Sequence, residues 1–144
     1  RWYLIGHSVY SDDIRTYALD RIQHVTLTDI PFQLPKDFDI HRYFEGCVGI
    51  ISSREYDIER VVIKAHGWAR KYLSTLPLHE SQREIASDDE SITLEFRVRP
   101  NYEFFQQLLQ QTDQIEVLEP QWVQEAMCQI AKNILRYYKK SEKE

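Results

Sequence analysis

Five side chains near the start of the chain, Tyr3, His7, Arg15, Tyr17 and Arg21, are of the types that together recognise a phosphate or a carboxylate. Arginine offers a planar fork of donors matched to either anion, and phenol faces can stack on a base. An imidazole adds a hydrogen bond that tightens on protonation. This is binding chemistry more than catalysis, and it needs one strand register. Ser11-Asp12-Asp13 is a turn signal, because short polar side chains bond their own backbone. A three-residue loop there pairs Tyr10 with Ile14, Val9 with Arg15, His7 with Tyr17, Ile5 with Leu19 and Tyr3 with Arg21. Directly opposed residues share a face, so the five polar side chains would surround Ile5 and Leu19. Trp2, Leu4, Ser8, Thr16 and Ala18 would then take the other side. A two-residue loop of Asp12-Asp13 instead pairs Val9 with Thr16 and Ser8 with Tyr17, and disperses the set. The competing reading has Arg15 paired with Asp12 or Asp13, Arg21 with Asp20 or Asp29, and His7 as an ordinary surface histidine.

Enzyme chemistry finds little purchase, and we expect no catalytic residues. Ser8 and Ser11 lie near His7 without a nucleophile-elbow context, and the four glycines form no phosphate loop. His41, His66 and His79 show no helical ligand pair, so no metal site is expected. Cys128 reads as a small packing residue, and Asp88-Asp89 as a solvated turn. No cofactor motif is present.

The 144 residues are 42% hydrophobic and 28% charged, which suits one ordinary domain or two small ones. A net charge of −5 argues against a duplex-binding surface, which needs Lys and Arg clustered on one face. Runs such as Val61-Val62-Ile63 are far shorter than the roughly 20 residues that span a bilayer. Without a leader pattern, and with only Cys47 and Cys128, the expectation is a reducing, cytoplasmic setting. Arg1-Trp2-Tyr3-Leu4-Ile5-Gly6 reads as mid-strand, as if the chain were part of something longer.

The elements that must position these residues follow from periodicity. Residues 1–30 suggest a hairpin followed by a strand over residues 22–28, and Pro31 and Pro35 make the next stretch an extended connector. A linker is expected over residues 46–57. Beyond it, Arg60 to Ala65 reads as a strand and Gly67 to Leu76 as a helix stopped by Pro77. A hairpin of Glu80–Ser87 and Ser91–Arg99 follows, with Ile92, Leu94, Phe96 and Val98 alternating. Asn101 caps a helix through Gln111, Ile115 to Leu118 is a short strand, and Pro120 opens a last helix striped by Trp122, Ala126, Ile130, Ile134 and Tyr138. The aromatic stripes read as core or dimer packing. The order β-α-β-β-α-β-α predicts a split βαβ, ferredoxin-like sandwich with an extra helix, in an α+β chain.

Trp2-Tyr3-Leu4, Gly6-His7, Arg15-Thr16-Tyr17 and Leu19-Asp20-Arg21-Ile22 occur in that order, and Pro31-Phe32, Pro35 to Ile40 and Tyr43-Phe44 follow them. This series resembles the WYL domain, a bacterial ligand-sensing domain named for that tripeptide. Residues 58–138, closing on Val117-Leu118-Glu119-Pro120, resemble the extension domain commonly attached to it. The resemblance implies an incomplete Sm-like barrel with its connector over residues 1–45, the linker over 46–57, and a ferredoxin-like extension over 58–144. It implies the effector-sensing part of a homodimeric transcriptional regulator that takes a nucleotide or short single-stranded nucleic acid. Duplex DNA would be read only by a helix-turn-helix domain upstream of this chain. The family's ligand-face positions carry over to Tyr3, His7, Arg15, Tyr17 and Arg21. Arg83, Arg97 and Arg99 on the extension hairpin are possible further anion contacts if a dimer sets them opposite the partner's barrel. The alternative is a purely structural dimerisation module.

Overall fold

The computed structural model describes residues 1–52 and 55–139. Two compact units divide it, one of Arg1–Tyr43 and one from Phe44 onward.

In the first unit, β1 (Tyr3–Ser8) and β2 (Asp13–Ala18) form an antiparallel hairpin, extended by the bond from the Leu19 amide to the Trp2 carbonyl. The register pairs Tyr3 with Ala18, Leu4 with Tyr17, Ile5 with Thr16, Gly6 with Arg15, His7 with Ile14 and Ser8 with Asp13. This corrects both registers expected from sequence. The connection is the four residues from Val9 to Asp12, closed by Asp12 in the left-handed region at φ 48°. Aspartate tolerates that conformation, so the turn ends at Asp12, one residue earlier than in either expected loop. A single turn of tighter helix, Leu19–Arg21, follows. The strand expected over residues 22–28 has the alternation but no ladder, because no described residue pairs with it. Further on, α1 (Ile40–Tyr43) is a single turn capped by Asp39, whose Oδ1 accepts from the His41 and Arg42 amides at 2.8 and 3.3 Å. The Tyr43 hydroxyl donates to the Ile14 carbonyl at 3.2 Å, and its ring lies 5.6 Å from that of Phe38. Among the described residues this sheet has two strands and does not close into a barrel.

The second unit is a four-stranded antiparallel sheet with three helices. Its elements run β3 (Glu59–His66), α2 (Gly67–Thr75), β4 (Arg83–Ser87), β5 (Ser91–Val98), α3 (Tyr102–Leu109), β6 (Ile115–Glu119) and α4 (Gln121–Lys139). The strand order β4-β5-β3-β6 is that of the split βαβ sandwich, as expected. Pairing sets Val61 beside Phe96, Ile63 beside Leu94 and Ala65 beside Ile92. These residues form one buried face together with Val98, Val117, Ala69 and Leu73 of α2, Phe104 and Leu108 of α3, and Val123 of α4. Asn101 caps α3 by accepting from the Phe104 amide at 3.1 Å, which fixes the helix start where the sequence places it. The stripe on α4 is covered only in its first half: Trp122, Ala126 and Ile130 are partly buried, whereas Ile134 and Tyr138 are exposed.

Candidate functional site

Side chains alternate across a strand, so the hairpin register decides which of the predicted residues meet. Tyr3, Ile5 and His7 stand with Ala18, Thr16 and Ile14, and α1 lies against this side through Tyr43, whose hydroxyl is 3.5 Å from the Thr16 hydroxyl. Leu4, Gly6 and Ser8 stand on the other face with Tyr17, Arg15 and Asp13. The structure therefore brings Arg15 and Tyr17 together and sets Tyr3 and His7 behind them. The Tyr17 ring edge comes within 4.0 Å of where a Gly6 side chain would begin, so the missing side chain leaves room for that ring against the strand. Arg21 ends the short turn after β2.

The charges sort differently from the pairing expected for the arginines. His7 Nε2 lies 3.0 Å from Asp12 Oδ1, and Arg1 Nε lies 3.3 Å from Asp20 Oδ2. Arg15 and Arg21 have no carboxylate within salt-bridge distance among the described residues. Two exposed guanidiniums are thus left with their full hydrogen-bonding capacity, beside the phenol of Tyr17 in the case of Arg15.

The three arginines expected on the extension hairpin take three different places. Arg99 turns away from the sheet and donates to the Glu45 carbonyl at 3.1 Å and the Tyr56 carbonyl at 2.6 Å. Its own amide donates to the Gly46 carbonyl at 2.7 Å. Arg83 reaches Glu95 at 4.0 Å, on the sheet face not covered by helices. Arg97 is on that face as well, exposed and without a carboxylate partner among the described residues. Sequence reasoning missed Arg60, which bridges Glu95 at 2.5 Å and Glu119 and so ties β5, β3 and β6 together across their open face. Its hydrogen bond holds the Glu95 carboxyl below the ordinary carboxylate range.

Sequence reasoning also missed how firmly residues 44–52 and 55–58 are held within the second unit. Asn101 Nδ2 donates to the Ile51 carbonyl at 3.0 Å, the Ile51 amide donates to Glu103 at 2.7 Å, and the Tyr56 ring stacks on Trp122 at 5.8 Å. Gly46, at φ 72°, was the readable signal of a fixed turn. Near the β4–β5 turn, Lys64, His66 and residues 88–91 line a depression of about 350 Å³. Asp88 there is occupied with the Glu90 and Ser91 amides and the Ser91 hydroxyl, as a turn residue should be. No group of three potential metal ligands occurs among the described residues, and no described helix is long and apolar enough to cross a membrane.

No curated protein matches the chain. The family model of the WCX domain matches residues 57–135, more than half of the chain, and that of the WYL domain matches residues 1–27. The four-stranded sheet and its helices thus fall in the first match, and the hairpin with its two unpaired arginines falls in the second. The chain belongs to the WYL-domain regulators, whose WYL and WCX domains are regulatory rather than catalytic.

Proposed function

We propose that this chain senses a small phosphate-bearing effector, a nucleotide or a short single-stranded nucleic acid, and thereby controls a DNA-binding domain of the same regulator. Arg15 and Arg21 would hold phosphate, and Tyr17 would stack on a base over the open face that also carries Leu4 and Gly6. Tyr3 and His7, on the opposite face, would contribute only by supporting the hairpin or by meeting a ligand that wraps its edge. The observation that carries this reading is that Arg15 lies exposed beside Tyr17 without a carboxylate, while His7 and Arg1 nearby are both paired. An unpaired guanidinium beside an aromatic ring suits phosphate and base together. Ligand binding can shift the regulator between states only by its differential affinity for them.

Titration with short single-stranded oligonucleotides and with cyclic and linear nucleotides tests the site. A charge-assisted contact is worth about 1.5–3 kcal/mol, so Arg15→Ala should weaken binding about ten- to hundredfold. Absence of binding by the folded chain, or equal binding by Arg15→Ala and Arg21→Ala, would count decisively against a sensing site.

A further inference from the structure

Arg60 and Arg97 stand directly opposite each other on β3 and β5, on the sheet face that no helix covers. Like charges so placed repel, and each guanidinium needs an anion. Arg60 has two, since its Nε donates to Glu95 at 2.5 Å and its Nη1 reaches Glu119. Arg83, directly opposite Glu95 on β4, approaches the same carboxylate only to 4.0 Å, and its side chain is 70% exposed. Arg97 has no carboxylate within ion-pair distance among the described residues. The hydrogen bond from Arg60 and the charges of Arg60, Arg83 and Arg97 all hold the Glu95 carboxyl down, so three guanidiniums gather round one carboxylate. Only the first of them is satisfied by it.

The other two are neighbours. Arg97 lies two residues along β5 from the partner of Arg83, a diagonal on which Cα atoms are about 7–8 Å apart and long side chains still meet. The backbone there is fixed: the Arg97 amide donates to the Ser81 hydroxyl oxygen at 2.9 Å, and that hydroxyl donates to the Arg97 carbonyl at 3.1 Å.

Glu95 shows which anion suits this pair. A carboxylate has two oxygens, and one of those on Glu95 already accepts from Arg60. A phosphoryl group offers three, enough to accept from a fork on each side. The paired residues of this face include Val62, Lys64 and Thr93 but no Phe, Tyr or Trp, so a base has no ring to stack on.

We propose that Arg83 and Arg97, with Glu95 as an internal competitor, form a phosphate site on the open sheet face of the second unit, for the terminal phosphoryl or pyrophosphoryl group of a ligand. The site uses no residue of Arg1–Tyr43 and is independent of the effector site around Arg15.

Titration of the isotope-labelled chain with inorganic pyrophosphate at fixed ionic strength, read at the arginine Nε–H resonances, tests it. The Arg83 and Arg97 signals should follow one saturating curve that succinate does not reproduce. Arg97→Gln should weaken the fitted affinity about tenfold. Lys71→Gln removes the same charge from α2, on the other side of the sheet, and should leave the affinity unchanged. Glu95→Gln removes the competing carboxylate and should tighten binding. Shifts that do not saturate, an equal response to succinate, equal weakening in the Arg97 and Lys71 variants, or no tightening in Glu95→Gln overturns the proposal. Arg15→Ala should leave the Arg83 and Arg97 curves intact; their loss would assign the response to the hairpin and overturn the second site. Displacement of pyrophosphate by ADP or by a short single strand with a terminal phosphate shows whether a free nucleotide or a strand end supplies the group, and displacement by neither overturns the proposal.

Discussion

The two units of this chain are built to opposite rules. From Phe44 onward, residues of all three helices and of β3, β5 and β6 contribute to one buried cluster around Phe96 and Phe104. Between Arg1 and Tyr43 the only buried residue is Ser8. Trp2, Val9, Tyr10, Val25, Leu27, Ile30 and Phe32 are all largely exposed there. A two-stranded hairpin is marginal in water without a further layer or strand. The second unit is built around a buried core, whereas the first leaves its apolar side chains exposed. Regulation is better served by the second kind of element, because a binding partner changes its stability by a large fraction.

Paired core substitutions give the sharpest test of that contrast. Phe96→Ala removes a ring with no exposed area that packs 6.2 Å from Phe104, and should cost about 3–5 kcal/mol. Phe32→Ala removes a ring that is 86% exposed and should stay within about 0.5 kcal/mol. Urea denaturation of both variants measures the difference. A large cost at Phe32 would mean that the first unit's apolar surface is already covered in solution, and the contrast would fail.

The same difference explains what the sequence could reveal. In β5, one buried face forces Ile92, Leu94, Phe96 and Val98 into strict alternation, so strand and facing are both readable. In the first hairpin, each strand's own parity is equally plain: Tyr3 and His7 must share a face, and so must Arg15 and Tyr17. Which of those pairs shares a face with the other depends on whether the loop has an odd or an even number of residues. Little burial enforces the answer there, and the left-handed Asp12 is decided by local backbone preference among near-equal turns. The candidate site was therefore legible in its residue types and in half of its geometry. Arg99 was misread for a different reason. By spacing it continues Arg97, but β5 ends at Val98 and the guanidinium meets carbonyls of Glu45 and Tyr56, partners more than forty positions away that no local pattern announces.

Asn101 offers a smaller test of how the second unit holds its lead-in. Its Oδ1 caps α3 and its Nδ2 binds the Ile51 carbonyl, and the residue is almost wholly buried. Asn101→Ala loses the cap and leaves a buried amide and a carbonyl without that partner, so about 1–2 kcal/mol should be lost. Asn101→Asp keeps an acceptor for the Phe104 amide but cannot donate to Ile51. It should recover part of the stability while leaving the amides near residue 51 exchanging faster with solvent than in the parent. If both variants exchange there at the parental rate, the lead-in is held by its other contacts.

Acid should act on the second unit in two steps, each smaller than these substitutions. Half-burial lowers the proton affinity of His79 below its ordinary value of 6.5, with Glu80 opposing in part. The unfolded chain therefore binds the proton first, and stability declines as pH falls below 6.5. Glu95 responds lower down. Its hydrogen bond with Arg60, aided by the charges of Arg83 and Arg97, holds the folded carboxyl below the ordinary 4.5. Its contribution is present above 4.5 and is lost as pH falls from there through the folded value. Denaturation midpoints followed across this range should show His79→Gln flattening the upper step and Arg60→Gln reducing the slope of the lower one. Asp88 and Asp113, also lowered by their hydrogen bonds, keep that lower slope from vanishing. An Arg60→Gln profile parallel to the parent's below 4.5 would show that the bridge across β5, β3 and β6 adds nothing to the sheet, and that the buried face alone sustains it.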